Sequence, residues 1–497
     1  MDTLVLDGSH LTLDDLYTVM YDRRSVRIDA DALKRAADAR QVLFDMAARG
    51  EPVYGLNHGV GWNKDKEFDQ DFFEEYNLNL INSHSLGIKP YCSVEMVRAM
   101  LCIRLNTALC GCTGISPTIL SLYEVFLNKG IHPRIPARGS IGEGDISTLS
   151  LIGQTMLGHG EVEYHGKIIP ASQALAAEGI APAVLGPKDG LSIVSSNAQG
   201  EAMVAVLVHE TQNILHIANA VFCLSLEGLN GGVAPLGEKV NRLRGLSGQI
   251  QCAAECREML AGSYLYQPDP SRALQDPLSF RCASAIHGSV LDVLVFVRQV
   301  LEKQLNATDD NPCILTDEQA VSVSQNFETT TLALGVEMLA GALCHLSKSA
   351  CYRLIHLADP AFTGLSRFLT PQDVKVIAYG TIQKVYTALD AENRLLANPV
   401  SMDHIAVAGS IEDHASNLPL ACSKCLKLLD NLRYMIGIEA MHAAQAVDLR
   451  GLPALGAGSG KVYQVLRKDI PFLEHDRNLS LDIEKAYHLV KAGQLLP

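Results

Sequence analysis

Charged residues, aromatic residues and strand-forming patterns are all scarce in this chain of 497 residues. Charged residues make up 19% and aromatic residues 6%, whereas hydrophobic residues reach 48%. This composition excludes a largely disordered chain and supplies enough apolar side chain for a large core. The clearest alternation of polar and apolar residues lies at residues 161–169 (EVEYHGKII), and it predicts a small hairpin.

The chain also lacks an excess of basic residues. It has 41 Lys and Arg against 55 Asp and Glu, which gives a formal net charge of −14. Nucleic acids and anionic membranes are bound through basic faces, so neither is expected as a partner. Charges interrupt the later apolar stretches, so no membrane-spanning segment is expected. The opening residues, MDTLVLDGSHLTLDDLY, lack the basic and apolar regions of a signal peptide.

Cysteine and histidine spacings give no metal or disulfide pattern. The 13 cysteines are odd in number and lack a short extracellular framework, which predicts reduced thiols in a cytoplasm. Cys422 and Cys425 form a CxxC inside an Ala/Leu-rich helical run without a second pair, which favours a structural role. The 16 histidines include no HExxH or similar cluster, so no metal is expected.

Long apolar runs at helical spacing dominate the second half of the chain. They indicate an all-α fold built on a central bundle of long helices. The first half is richer in glycine and short loops, so we predict a loop-rich domain at residues 1–215 and a bundle domain at 216–497. Helices that are apolar on nearly every face indicate burial against other subunits. The runs lie at residues 200–229, 289–305, 331–359 and 418–449.

One glycine-rich segment carries a candidate catalytic residue. Residues 53–63 read VYGLNHGVGWN, and Gly55, Gly59 and Gly61 permit close backbone approach around Tyr54. A tyrosine on such a loop is able to cover a pocket and act as an acid or base. Taken alone, the pattern fits a surface turn with a packed tyrosine better.

The same segment resembles the YGxNTGFG inner loop of the histidine and phenylalanine ammonia-lyases. Further blocks resemble segments of that family in the same order along the chain. The resemblance implies a fumarase/ammonia-lyase-like homotetramer with a helical bundle and four active sites, each built from three chains. The further blocks are residues 79–87 (NLINSHSLG), 275–282 (QDPLSFRC), 306–312 (NATDDNP), 325–327 (QNF), 392–401 (ENRLLANPVS) and 410–414 (SIEDH).

The chain departs from this family at the internal electrophile. The family cyclises an Ala-Ser-Gly triplet in GSxGASGDL to form a methylidene-imidazolone. Here the matching residues 139–146 read GSIGEGDI, with Glu143 and Gly144 where the triplet should stand. No serine is available there for dehydration, so we expect no such cofactor.

Two further departures affect the active site. The family's second tyrosine, in QDxYSxRC, is replaced by Leu278. The asparagine of the family's LLNGTQ is matched ambiguously by residues 191–199 (LSIVSSNAQ), where Ser196 or Asn197 is expected to bind substrate in its place.

The leaving group explains how an elimination proceeds without the electrophile. Covalent attachment to the electrophile helps an amine depart, and it requires a nitrogen lone pair. A trimethylammonium group has no lone pair and already leaves as a neutral tertiary amine. We therefore expect a small-molecule betaine substrate. The family activity that fits splits ergothioneine, the betaine of 2-thiohistidine, into trimethylamine and thiourocanate.

The resemblance implies a role for each matching residue. Tyr54 removes the β-proton, and Arg281 binds the substrate carboxylate through its guanidinium fork. His84 and Glu412 match the positions that contact the imidazole ring in histidine ammonia-lyase. Lys384 precedes the ENR block on a predicted helix and is a candidate partner for the thione sulfur, although an exposed helix lysine is an equal interpretation.

The substrate cation requires its own site, for which aromatic faces and carboxylates are suited. By family position, Asn326 and Phe327 contribute to substrate binding, and Phe327 and Tyr54 are candidate aromatic walls. Trp62 is a third candidate wall, although a tryptophan packed in the core or at an interface is the simpler interpretation. Glu143 and Asp145 are candidate counter-charges, and a helix cap is the alternative for Glu143.

Three functions remain open at this stage. The first is trimethylamine elimination from ergothioneine. The second is a lyase for another betaine such as hercynine, which lacks the sulfur and so has less use for Lys384. The third is a non-catalytic descendant that binds a ligand or serves as a scaffold. Retention of Tyr54, Arg281 and Glu412 argues against the third, and loss of the second tyrosine keeps it open.

Overall fold

The computed structural model describes residues 2–68, 72–371 and 375–496. Most of these residues are helical, which confirms the predicted all-α class. The chain divides into two compact units, here called the first and second unit, that alternate along the sequence. The first unit comprises Met1–Val206, Arg298–Val336 and Pro399–Ser423, and the second unit comprises Leu207–Val297, Glu337–Asn398 and Lys424–Pro497.

This division differs from the single boundary predicted near residue 215. The first crossing falls at residues 206 and 207, and two later segments return to the first unit. These two segments contain the NATDDNP and SIEDH blocks and include the connections between long helices. The first unit is therefore completed by residues that follow the first long helix in sequence. Composition alone distinguished a loop-rich half from a helical half, but it did not predict that residues 298–336 and 399–423 belong to the first unit.

The first unit contains short helices and all the strands assigned in the described part of the chain. Its helices are α1 Leu13–Tyr21, α2 Ala30–Ala48, α3 Phe73–His84, α4 Val94–Ala108, α5 Pro117–Lys129, α6 Ile146–Met156, α7 Ala171–Ala177 and α8 Asp189–Val194. Its strands are β1 Leu4–Leu6, β2 Val26–Ile28, β3 Ile88–Tyr91, β4 Ile131–Pro133, β5 Pro136–Arg138, β6 Glu161–Tyr164, β7 Lys167–Pro170, β8 Cys313–Leu315 and β9 Ala320–Ser322.

The strands form four small sheets. β1 and β2 pair in parallel, whereas β3 with β5 and β8 with β9 pair antiparallel. β4, β6 and β7 form a three-stranded antiparallel sheet. The β6–β7 pair confirms the predicted hairpin at residues 161–169, and Val162 pairs with Ile169.

Local sequence explains where the helices of the first unit begin and end. The Ser116 hydroxyl accepts from the Ile119 N–H at the start of α5, where Pro117 occupies the first turn. Gly130 ends that helix with a left-handed φ of 67°. The start of α2 has a comparable cap, because Asp29 accepts from two N–H groups. These caps satisfy donors that a helix end otherwise leaves unpaired.

A buried ion cluster fixes the interior of the first unit. Arg104 on α4 bonds Asp309 at 3.0 Å and Asp310 at 3.1 Å, and Lys188 lies 3.4 Å from Asp310. All four side chains are buried, so the two cations and two anions compensate one another away from water. The Ser196 hydroxyl donates to Asp309 at 2.5 Å, which connects this cluster to the segment after α8.

The chain passes from one unit to the other within long helices. The predicted helices at residues 200–229 and 418–449 are confirmed as α9 and α17. Residues 435–447 of α17 are buried on every face within the single chain, so other subunits are not needed to cover this part of the helix. The helices from α9 onward are α9 Ala198–Leu229, α10 Glu238–Arg244, α11 Ser247–Met259, α12 Leu278–Arg281, α13 Ala283–Gln304, α14 Thr330–Leu357, α15 Pro360–Thr363, α16 Gln383–Leu396, α17 Leu418–Leu449, α18 Ala457–Asp469 and α19 Leu479–Lys491.

We predicted that charges interrupt every apolar stretch before it reaches membrane-spanning length. This prediction is wrong, because some helices are both long enough and apolar enough to cross a membrane. Three helical stretches are long and apolar enough, namely Asp189–Leu229, Ala283–Gln304 and Thr330–Leu357. A few scattered charges leave the mean hydropathy of such helices high. The apolar window of the first stretch is 94% buried in the chain, whereas those of the other two are 39% and 50% buried.

A strong buried ion pair lies in the second unit. The Arg353 Nε and Nη2 atoms donate to the two Glu439 carboxylate oxygens at 2.6 and 2.9 Å. The Ser225 hydroxyl also donates to Glu439, at 2.9 Å. Both ionic side chains are fully buried, so α14 and α17 are joined by a bidentate pair that has no access to water.

Candidate functional site

A cavity of about 760 Å³ lies within the first unit. Its wall is formed by the Tyr54 loop, the end of α3, residues 139–147, the end of α8 and residues 408–412. Segments that are far apart in the sequence therefore meet around one space. The predicted site residues that line it are Tyr54, Trp62, His84, Glu143, Phe327 and Glu412.

The phenol of Tyr54 is held by the backbone of its own loop. The Gly61 N–H donates to the Tyr54 oxygen at 2.7 Å. Burial raises the pKa of Tyr54, the Gly61 hydrogen bond opposes that rise, and the charge of Glu412 adds to it. In the single chain, the phenol is therefore protonated at neutral pH, and a nearby positive charge would favour its ionisation.

The Tyr54 loop is anchored to the core on both sides of the tyrosine. Val53 and Leu56 belong to a buried apolar cluster with side chains of α2 and Ile314 of β8. Between them, Gly55 has a left-handed φ of 71°, and a Cβ added there would lie 2.1 Å from Leu191 Cδ2. A glycine is therefore required at residue 55 by both backbone conformation and space.

Asp145 lies behind the cavity wall. Its carboxylate accepts from the Ser140 hydroxyl at 2.5 Å and from the Gly200 N–H at 2.8 Å, in the first turn of α9. It is fully buried, and burial raises its pKa to about 6. Asp145 does not line the cavity, so it joins the loop to α9 instead of facing the substrate cation as we predicted.

Glu143 does line the cavity and occupies the position of the family's electrophile. Its backbone forms an isolated antiparallel bridge with Glu328. Its Oε2 atom is buried without a hydrogen-bond partner among the described residues. Burial, followed by the charge of Glu412, raises the pKa of Glu143 to about 7. The N-cap position of α6 belongs to Asp145, so the alternative of a helix cap does not describe Glu143.

Asn197 and Ser196 support this wall from behind. The Gly144 N–H donates to Asn197 Oδ1 at 3.0 Å, and Asn197 Nδ2 donates to the Phe327 carbonyl at 2.7 Å. Ser196 is committed to Asp309 of the buried ion cluster. Both residues are buried and neither lines the cavity, so they position its wall in this chain.

His84 and Glu412, the predicted ring-binding pair, both line the cavity. The His84 Nδ1 atom lies 2.8 Å from the Leu80 carbonyl oxygen, a contact that requires a proton on Nδ1. Glu412 is held by a backbone bridge to Val407, and its Oε1 lies 3.5 Å from the Cβ position of Gly61. Glu412 and Tyr54 therefore share one side of the cavity.

The aromatic candidates take different positions. Phe327 lines the cavity, whereas Asn326 is exposed outside it. Trp62 also lines the cavity but is 72% exposed. A Cβ added to Gly409 would lie 2.7 to 3.0 Å from the Trp62 indole, so the ring packs on that glycine and joins the Tyr54 loop to the Glu412 loop.

Arg281 and Lys384 belong to the second unit and do not line the cavity of the first unit. Arg281 ends α12, where its Nη1 donates to Gln275 at 2.7 Å and its Nε is buried without a partner among the described residues. Lys384 is exposed in the first turn of α16. Within one chain, the cavity therefore contains the predicted base and ring contacts without the predicted cations.

Several lining residues were missed from the sequence. Ser140, Ser147 and Asn311 contribute polar atoms to the wall, and Lys64 lies at the Tyr54 loop. The recognisable signal was their place inside or beside motif blocks, since Asn311 belongs to NATDDNP and Ser140 to GSIGEGDI. The described residues contain no group of three or more His, Cys, Asp or Glu suited to a metal ion.

A tyrosine on a glycine-rich loop beside an acidic cavity is suited to proton removal in an elimination reaction. Residues 11–468 match the aromatic amino acid lyase family, and the chain belongs to that family. The histidine ammonia-lyase of Treponema denticola is 33% identical over 98% of this chain and 96% of that protein. The histidine ammonia-lyase of Chloroflexus aurantiacus is 34% identical over 99% and 97%.

A solved structure gives a more specific likeness. Ergothionase from Treponema denticola, in complex with desmethyl-ergothioneine sulfonic acid, is 60% identical, covers 100% of both chains and has a TM-score of 0.98. Histidine ammonia-lyase from Trypanosoma cruzi is 28% identical, with a TM-score of 0.90 over 99% of this chain and 94% of that one.

The residues at the electrophile's position do not fit a methylidene-imidazolone. Glu143 and Gly144 stand where the family has Ala-Ser-Gly, and the nearest upstream serine, Ser140, donates its hydroxyl to Asp145. The Gly144 N–H is held by Asn197. This backbone lacks a serine to dehydrate, and its amide is committed elsewhere.

Proposed function

We propose that this lyase eliminates trimethylamine from ergothioneine to give thiourocanate, with Tyr54 as the base and without an internal electrophile. One observation carries the proposal. The cavity wall presents the carboxyl group of Glu143 where the family has its cyclised triplet. The 60% identity to an ergothionase supports the same substrate.

The leaving group makes an electrophile unnecessary. A primary ammonium is a poor leaving group, and its attachment to an electrophile through the nitrogen lone pair overcomes this. A quaternary nitrogen has no lone pair for such a bond, and it departs as a neutral amine. A carboxylate that attracts the cation is therefore a more useful neighbour than an electrophile.

Tyr54 is placed to take the β-proton. As phenolate, its oxygen accepts that proton, the C–H electron pair forms the new C=C bond, and the C–N electron pair leaves on trimethylamine. The Gly61 N–H, 2.7 Å from the oxygen, stabilises the phenolate. The fixed positive charge of the substrate lowers the pKa of Tyr54, opposing the rise that burial causes in the empty site.

The remaining contacts hold the ring and the carboxylate. His84 and Glu412 face the imidazole, and Lys384 from another subunit receives the charge that develops on the thione sulfur as the proton leaves. Arg281 from another subunit binds the substrate carboxylate. This assignment requires residues from other subunits, and the homotetramer that the family resemblance implies would supply them. The partly exposed apolar windows of Ala283–Gln304 and Thr330–Leu357 support such an assembly.

The test compares three substrates with the purified protein. We expect trimethylamine and a conjugated ultraviolet-absorbing product from ergothioneine, and no ammonia from histidine. Release of trimethylamine from hercynine at a comparable kcat/KM would instead favour the betaine lyase that does not use the sulfur. Absence of any amine product with all three would support the non-catalytic alternative and contradict the proposal.

Mass spectrometry tests the missing electrophile directly. A peptide covering residues 139–146 is expected at its unmodified mass, because Glu143 and Gly144 provide no serine to dehydrate. A loss of water together with a cyclised backbone in that peptide would contradict the proposed mechanism.

A further inference from the structure

The cavity of the first unit is acidic. Glu143 and Glu412 both line it, and neither forms an ion pair among the described residues. Lys64 also lines the cavity, but its ammonium lies 2.9 Å from the Asp65 carboxylate. Two carboxyl groups therefore face one space with little opposing charge from the same unit.

Glu143 is held in place at both ends. Its backbone pairs with Glu328, and the next residue, Gly144, is held by Asn197 through the 3.0 Å hydrogen bond. Its Oε2 atom is nevertheless buried without a hydrogen-bond partner in the part of the chain that the structure describes. A buried carboxylate oxygen without a donor or cation is costly, so the empty cavity favours a proton on this group.

The charged and titratable groups around Glu143 act on its pKa in opposite directions. Glu412 and Glu328 disfavour its negative charge, whereas His404 and His414 favour it. The His414 Nε2 atom lies 2.8 Å from the Glu328 carboxylate. Burial and the like charge of Glu412 prevail and raise the pKa of Glu143 to about 7.

We propose, building on the proposed function, that Glu143 binds the trimethylammonium group of the substrate and that this cation replaces the proton held by Glu143. A quaternary nitrogen has no N–H to donate, so it is held by charge and surface alone. An oxygen that lacks a donor is the matching partner. Asp145, by contrast, has its carboxylate hydrogen-bonded to Ser140 and Gly200 and is not available.

This exchange makes substrate affinity depend on pH. Below pH 7 the cation must displace a proton, and above it the carboxylate is already ionised. With a pKa near 7, the ionised fraction rises about tenfold between pH 6 and pH 8. KM for the betaine is therefore expected to fall about tenfold over that range.

Tetramethylammonium chloride is a probe that does not depend on turnover. It is titrated into the wild-type protein by calorimetry at pH 6, in two buffers with different enthalpies of ionisation. The difference in observed heat gives the number of protons released. We expect saturable binding with nearly one proton released per site at pH 6, and almost none at pH 8.5.

Two variants identify the group that loses the proton. Glu143→Gln is expected to abolish proton release at pH 6 and to weaken tetramethylammonium binding. Glu161→Gln makes the same charge change on the exposed first residue of β6, away from the cavity wall, and is expected to leave both quantities unchanged. Thermal unfolding of each variant confirms that it is folded before the titration is interpreted.

Other results would overturn the inference. These are absence of saturable binding to the wild type, proton release that persists in Glu143→Gln, or release that disappears only in Glu412→Gln. The proposed function is judged separately by trimethylamine release from ergothioneine. Proton release with tetramethylammonium but no elimination would support the cation site and reject the proposed reaction. Elimination without proton release would support the reaction and reject the cation site.

Discussion

Replacing Asn197 by alanine is expected to loosen the cavity wall from behind. The change removes two buried hydrogen bonds, one from the Gly144 N–H at 3.0 Å and one to the Phe327 carbonyl at 2.7 Å. A typical internal hydrogen bond contributes about 1 kcal/mol, and a buried group left unpaired costs about 1–3 kcal/mol. Because both backbone partners lose their contact, we expect the free energy of unfolding to fall by about 2–4 kcal/mol.

Differential scanning calorimetry at fixed protomer concentration measures this change. An unfolding entropy of about 2.1 cal/mol/K per residue scales to about 1 kcal/mol/K for 497 residues. The unfolding midpoint of Asn197→Ala should therefore drop by about 2–4 °C. Because Gly144 is held by Asn197 and adjoins Glu143, kcat for trimethylamine release should also fall about tenfold, which corresponds to about 1.4 kcal/mol.

Asn82→Ala is the matched control, since it loses one exposed hydrogen bond with Gln154 at 2.8 Å. Its midpoint should change by less than about 0.5 °C, because surface substitutions usually cost less than about 0.5 kcal/mol. If Asn197→Ala matched this control in both midpoint and kcat, the hydrogen bonds of Asn197 would not position the wall.

Three further changes test other parts of the structure. Tyr54→Phe should abolish trimethylamine release and still bind ergothioneine in calorimetry; residual elimination at the wild-type rate would exclude Tyr54 as the base. Gly55→Ala should lower the unfolding free energy by about 1–3 kcal/mol and reduce kcat, because its φ is 71° and its Cβ meets Leu191. Adding Leu191→Ala should recover part of the kcat, and no recovery would show that the backbone conformation alone is responsible. Glu439→Ala leaves Arg353 buried without its partner and should cost about 3–5 kcal/mol in chemical unfolding; a change below about 1 kcal/mol would contradict the importance of this pair.

The long helices were the most predictable part of the fold. Residues 418–449 are apolar at helical spacing, and α17 begins and ends at those residues. The division into units was less predictable, because residues 298–336 and 399–423 join the first unit through contacts remote in sequence. Local pattern reports which face of a helix is apolar, but not which distant segment covers it.

The site was predicted unevenly for a similar reason. Motif blocks led to the lining residues Tyr54, His84 and Glu412, because each lies in a segment that matches the family along the chain. The sequence does not separate Glu143 from Asp145, which are two residues apart in one loop. They differ because the Gly200 N–H at the start of α9 donates a hydrogen bond to the Asp145 carboxylate, whereas Glu143 lines the cavity.

Trp62 gives the protein a built-in optical reporter. It is the single tryptophan of the chain, it borders the cavity, and it is 72% exposed in the single chain. Under excitation at the red edge of protein absorbance, emission from every subunit therefore originates at the mouth of its own cavity. A change in emission wavelength on adding a colourless betaine would register occupancy there without a dye or a label.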